Sequence, residues 1–167
     1  REAMESVAAA LDAAGEAYAI PEFGVMIETP AAALLADPLV DHVDFVSVGT
    51  NDLAQYVMAA ARGNRRVADL ADPRQPGVLR AIRRAVAATE GTDVWAGVCG
   101  EMAGDPEMTP LLVGLGVDEL SVAPAAVPRV KRAVSEVRDD AARDLAERAL
   151  AAETREEVVA VLDGTVS

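Results

Sequence analysis

Apolar positions along the chain alternate between two patterns. Four short, nearly continuous runs recur at residues 24–28 (GVMIE), 44–48 (DFVSV), 94–98 (VWAGV) and 119–122 (ELSV). None shows a clean inside–outside alternation, which predicts strands buried on both faces. Between them the spacing changes to that of helices. Residues 31–36 follow the first run, with Pro30 at an early helical position, and residues 52–61 follow the second. Residues 78–89 carry Val78, Leu79, Ile82 and Val86 at helical spacing, with arginines on the opposite side. Asp105 predicts a cap for a helix opening at Pro106 and running toward Leu115. Residues 127–137 follow the last run. Residues 2–18 at the start and 139–162 at the end are also helical, and Thr154 and Glu157 have capping-box spacing.

Strand followed by helix, four times over, specifies a parallel α/β sheet. Two architectures satisfy it: a doubly wound sheet, or part of a (β/α)8 barrel. A whole barrel takes about 250 residues, and this chain of 167 supplies about half of one. The glycines of GVCGEMAG, residues 97–104, do not have dinucleotide-binding spacing.

Composition narrows the partners. Hydrophobic residues make up 51% of the chain but aromatics only 3%, so the core is built from Ala, Val and Leu. The net charge of −13 excludes nucleic acid and anionic membrane surfaces as partners. No apolar run approaches the roughly 20 residues needed to span a bilayer. A single cysteine, Cys99, permits no intrachain disulfide and fits a reducing cytosol. The chain opens at Arg1, directly into a helical pattern, as expected of a sequence that starts within a longer protein.

Ligands of parallel α/β folds meet the carboxyl ends of the strands. Glu28 ends the first run, Asn51 and Asp52 follow the second after Gly49 and Thr50, and Cys99 ends the third. Two carboxylates from neighbouring strands suit a hard divalent cation such as Mg²⁺, which completes its shell with water and substrate oxygens. The alternatives are an N-cap role for Asp52, a helix-dipole or salt-bridge role for Glu28, and a small buried hydrophobe for Cys99. As a thiol of tuned acidity, Cys99 could also carry a proton. Arg62, at the end of the second helical segment, is either solvated or placed to grip an anion in two places. His42 precedes a strand, away from this end, and reads as surface.

The segments GVMIETPAAA, SVGTNDLAQY, ARGN, GVCGEMAGD and LGVDELSV together resemble the C-terminal phosphoenolpyruvate-binding domain of the Enzyme I family. These are the phosphoenolpyruvate–protein phosphotransferases of the bacterial sugar phosphotransferase system. The resemblance runs in order from about Gly24 to the C-terminus. It implies barrel strands five to eight with the preceding helix, so that residues 1–167 are a partial (β/α)8 barrel with C-terminal helices from about 139. The phosphohistidine domain and the first half of the barrel would lie elsewhere. It further implies Mg²⁺ ligation by Glu28 and Asp52, and phosphate contacts from Asn51 and from backbone around Gly49 and Thr50. Arg62 would hold the departing phosphoryl group, and Cys99 would protonate the enolate to pyruvate. The implied partners are the phosphocarrier protein HPr, through the parent protein, and a second copy of the chain.

Two departures qualify the match. The family often has an acidic residue before R-G-N, where this chain has Ala61, and the arginines of the earlier barrel strands are absent. The isolated chain is therefore expected to transfer little or no phosphate, and its open edges to favour association. Other readings are a fragment of the sister pyruvate phosphate dikinases and phosphoenolpyruvate synthases, a metal-dependent aldolase or lyase, or a non-catalytic assembly module. The ETPAAA and GEMAGD segments are more similar to Enzyme I than to the dikinases.

Overall fold

The computed structural model of the chain describes residues 1–61 and 63–164. Strands β1 (Gly24–Ile27), β2 (Phe45–Gly49), β3 (Trp95–Cys99) and β4 (Glu119–Leu120) form one parallel sheet in that order. The register places Gly24 beside Phe45 and Phe45 beside Trp95, Gly49 beside Cys99, and Gly97 beside Glu119. Short β4 pairs one residue further, because the Ser121 N–H donates to the Val98 carbonyl at 2.9 Å.

Helices fill the crossovers. α1 (Glu2–Ala14) precedes the sheet, and α2 (Pro30–Leu34) and α3 (Ala36–Val40) lie between β1 and β2. α4 (Thr50–Val57) and α5 (Pro76–Ala87) lie between β2 and β3, and α6 (Thr109–Gly114) between β3 and β4. α7 (Val127–Glu136), α8 (Asp139–Ala151) and α9 (Arg155–Asp163) follow β4.

The two faces of the sheet differ. Ile27, Val46, Val48, Ala96 and Val98 are fully buried against a helical layer that includes Leu53, Leu79, Ile82, Leu111 and Leu112. Each such aliphatic side chain contributes about 1.5–3 kcal/mol by leaving water. α5 shows how its sequence directs this: Val78, Leu79, Ile82 and Val86 turn inward, while Arg80 and Arg84 reach outward, Arg84 to Asp37. The alternate residues occupy the other face, where Met26 is 51% exposed and the Phe45 and Trp95 rings stack at 4.5 Å. Strands buried on both faces are therefore not what forms. Helices cover one side and the other lies open, which fits half of a barrel and rules out a doubly wound sheet.

Beyond the helical layer, α8 packs on α6 at unusually short range. A Cβ on Gly114 would fall 1.9 Å from the Ala142 carbonyl oxygen, so only glycine lets the two backbones meet there. The Arg80 guanidinium secures the far end of α8 by donating to the carbonyls of Leu150, at 3.1 Å, and Ala152, at 2.9 Å.

Several boundaries differ from the sequence expectation. α1 stops at Ala14 because Gly15 turns into the left-handed region at φ 69°. The Asp105 carboxylate accepts the Glu107 N–H at 3.0 Å, forming a local turn that delays α6 to Thr109. The C-terminal stretch divides into two helices, and Thr154 accepts the Glu157 N–H at 3.2 Å as the cap of α9. The Glu157 carboxylate returns to the Glu153 N–H rather than to that of Thr154.

Candidate functional site

At the carboxyl end of the sheet, the chain leaves β2 and enters α4 without a connecting loop. Gly49 takes the cap position, and Thr50, Asn51 and Asp52 form the first turn of the helix. Asp52 is thus not the N-cap; its charge lies inside the first turn, where the helix dipole favours a carboxylate.

Two hydrogen bonds join this turn to the end of β3. The buried Thr50 hydroxyl donates to the Cys99 carbonyl at 2.8 Å, and the Asn51 Oδ1 accepts the Glu101 N–H at 3.2 Å. With its oxygen engaged, the Asn51 side chain keeps two N–H donors for another acceptor. Gly100 permits the junction. Its φ is 100°, and a Cβ there would fall 2.5 Å from the Thr50 hydroxyl oxygen and 3.1 Å from Asn51 Oδ1.

Glu28 arrives from β1. Its Oε2 lies 3.4 Å from where a Cβ on Gly49 would stand. Glycine at the end of β2 therefore makes room for the carboxylate of the neighbouring strand.

Glu28, Gly49, Thr50, Asn51, Asp52 and Cys99 accordingly gather at one end of three adjacent strands. Arg62 lies outside the described residues. His42 is exposed, as expected. Among the described residues no cluster of three or more His, Cys, Asp or Glu side chains could alone hold a metal ion. The donor chemistry is that of two carboxylates, Glu28 just after β1 and Asp52 in the first turn of α4. That set fits Mg²⁺ with water and substrate oxygens completing the shell, and it does not fit a closed structural metal site.

Three neighbours were not among the sequence candidates. The Glu101 backbone fixes Asn51. Ser121 continues β4 at the level of Cys99. Arg129, from the first turn of α7, lines with Asn51, Gly100, Glu101 and Ser121 a cleft of about 600 Å³. Ser121 was legible as the residue two after Glu119 in a strand; Arg129 carried no comparable local signal. Among the described residues no helix is long and apolar enough to cross a membrane.

Comparison with known proteins identifies the family. Residues 1–139 match the family model described as PEP-utilising enzyme, PEP-binding domain. A phosphoenolpyruvate-protein phosphotransferase of Haloferax volcanii is 64% identical over 162 residues, covering 97% of this chain and 29% of that protein. Proteins of the same name from Listeria monocytogenes and Staphylococcus carnosus are 45% and 42% identical over 142 residues, each match covering 85% of this chain and 25% of the relative. The chain thus spans between a quarter and three-tenths of the length of these relatives. It belongs to the family of PEP-utilising enzymes, and residues 1–139 match their PEP-binding domain.

Proposed function

We propose that this chain supplies the substrate-binding half-barrel of a Mg²⁺-dependent phosphotransferase. The parent protein would move the phosphoryl group of phosphoenolpyruvate to a protein histidine and release pyruvate, in sugar uptake through HPr. The observation that carries this reading is the convergence at one strand-end face: Glu28 lies over Gly49, Asn51 and Asp52 open α4, and Cys99 is tied to Thr50. The names of the relatives favour a phosphotransferase over a dikinase or synthase.

Phosphoryl transfer requires mostly positioning and neutralisation of charge. Bound Mg²⁺ would supply charge neutralisation to the transferring group. Glu28, just after β1, and Asp52, in the first turn of α4, would hold the ion. Asn51, its oxygen engaged by Glu101, directs N–H donors to the phosphate, and Arg62 adds a guanidinium. The bond between phosphorus and the enol oxygen breaks, phosphorus bonds to the histidine nitrogen, and the electron pair remains on the enolate. Cys99 then donates its thiol proton to the methylene carbon, giving pyruvate, and the thiolate recovers a proton from solvent.

The open sheet face, with exposed Met26, is where the rest of the barrel would close, and dimerisation and a cytoplasmic location complete the proposal. α1 presents a second apolar surface, since it has no buried residue and Val7 is 59% exposed.

The test is pyruvate formation by the parent protein carrying Cys99→Ala. A general acid is worth about 10²–10⁴-fold, so the variant should bind phosphoenolpyruvate normally and turn it over at least about a hundred-fold more slowly. Turnover at the unaltered rate would remove Cys99 from the mechanism. The 167-residue chain alone should release no pyruvate.

A further inference from the structure

On the flank of the site, three segments far apart in sequence meet through charge. Asp72, in the connection between α4 and α5, is the hub. Its carboxylate accepts the Arg74 N–H and Nε–H, both at 2.9 Å on Oδ1, and the Arg74 Nη2–H at 2.8 Å on Oδ2. Arg155, the first residue of α9, donates its Nε–H to the same Oδ2. The Asp72 side chain is 11% exposed and that of Arg155 33%, so the contact is largely withdrawn from solvent. The field of Asp105, after β3, and that of Asp163, at the end of α9, also act on Arg74. Between these groups lies a cleft of about 460 Å³, walled on its other side by Glu101, Met102 and Asp105. Glu101 is the residue whose backbone fixes Asn51.

The junction links α9 to the α4–α5 connection, residues 58–75, which faces the turn after β3 across this cleft. That turn contains Gly100 and Glu101, which line the cleft at Asn51. α9 lies wholly beyond the family match, which ends at residue 139. Nothing in the apolar packing of α9 requires an arginine at its first position, where the helix dipole disfavours a cation. Arg155 is there despite that cost, and its partner belongs to the loop.

We propose that α9 is a clamp on the substrate site: Arg155, through Asp72, is a positioning residue that holds the α4–α5 connection in place across the cleft from the turn after β3, and thereby sets affinity for phosphoenolpyruvate. This rests on the substrate assignment above, and two independent readouts separate the two. The first is amide hydrogen exchange of the chain itself, comparing Arg155→Ala, Arg155→Lys and, as a control of equal charge, Arg143→Ala. Arg143 pairs on the surface of α8 with Asp139 and touches neither loop. Arg155→Ala should accelerate exchange at Leu70, Ala71 and Arg74 by at least about five-fold, the lower end of typical coupling energies. Exchange at Leu79 and Ile82 in α5 should not change, and Arg155→Lys should recover part of the protection. Unchanged exchange in residues 68–75, or acceleration spread evenly through α5, overturns the clamp.

The second readout is phosphoenolpyruvate affinity of the parent protein. Arg155→Ala should raise KM at least about five-fold with little change in kcat, whereas Arg143→Ala should change neither. If Asp52→Ala abolishes binding while Arg155→Ala leaves KM unchanged, the substrate assignment stands and the clamp is wrong. If the parent protein does not bind phosphoenolpyruvate at all, the substrate assignment fails, and with it the role of the clamp in affinity.

Discussion

Gly100→Ala is the substitution on which the local account of the site depends most sharply. The residue has φ 100°, where an L side chain is strained by about 1–2 kcal/mol. The new methyl would fall 2.5 Å from the Thr50 hydroxyl oxygen and 3.1 Å from Asn51 Oδ1. Thr50 is fully buried, so it cannot swing into water. Losing its bond to the Cys99 carbonyl adds about 1 kcal/mol or more. The total is about 3 kcal/mol, a large share of the roughly 5–15 kcal/mol that a domain has. Gly15→Ala is the matched control. Its φ is 69°, but a Cβ there has nothing within 4 Å, so strain alone acts and the cost is about 1 kcal/mol. Urea unfolding of both variants at constant m-value gives the difference. Equal costs, or a cost below about 1 kcal/mol for Gly100→Ala, would refute the claim that this glycine is dictated by the closeness of the α4 turn.

Further variants probe other parts of the fold. Gly114→Ala drives a methyl into the Ala142 carbonyl and forces α8 off α6; it should cost about 3 kcal/mol or more in the same urea assay. Thr154→Ala removes the cap of α9 and should cost about 1 kcal/mol, seen as a fall in thermal midpoint of a few degrees. Asp72 is held down from 3.8 to about 2, by hydrogen bonds from Arg74 and Arg155 that outweigh its partial burial. A depressed carboxylate stabilises above its unfolded value and loses that contribution as pH falls toward 2. After allowance for the 38% exposure of Arg74, acid titration from pH 4 to pH 2 should cost the native chain about 1–2 kcal/mol more than Asp72→Asn.

Much of the site was legible because strand ends advertise themselves. An apolar run that stops at a carboxylate, an amide or a thiol marks the carboxyl edge of a parallel sheet, and Glu28, Asn51, Asp52 and Cys99 do gather there. What the pattern concealed was that one face of the sheet is open. Met26, Phe45 and Trp95 are apolar yet line the uncovered side, so each run reads as continuous. Helix starts were shifted for local reasons. Thr50 spends its hydroxyl on the Cys99 carbonyl, leaving Gly49 as the cap, and Asp105 spends its carboxylate on a turn. The Arg155–Asp72 contact joins residues 83 apart, and no periodicity predicts it.

We propose that Glu28 and Asp52 form a Mg²⁺-dependent phosphoenolpyruvate site on this face. Calorimetric titration of the chain with phosphoenolpyruvate, with and without Mg²⁺ and with Asp52→Ala as the control, tests it most directly. Binding that requires Mg²⁺ and vanishes in Asp52→Ala is the predicted result. Binding that persists without Mg²⁺ or in the variant, or no binding by the folded chain, would contradict it.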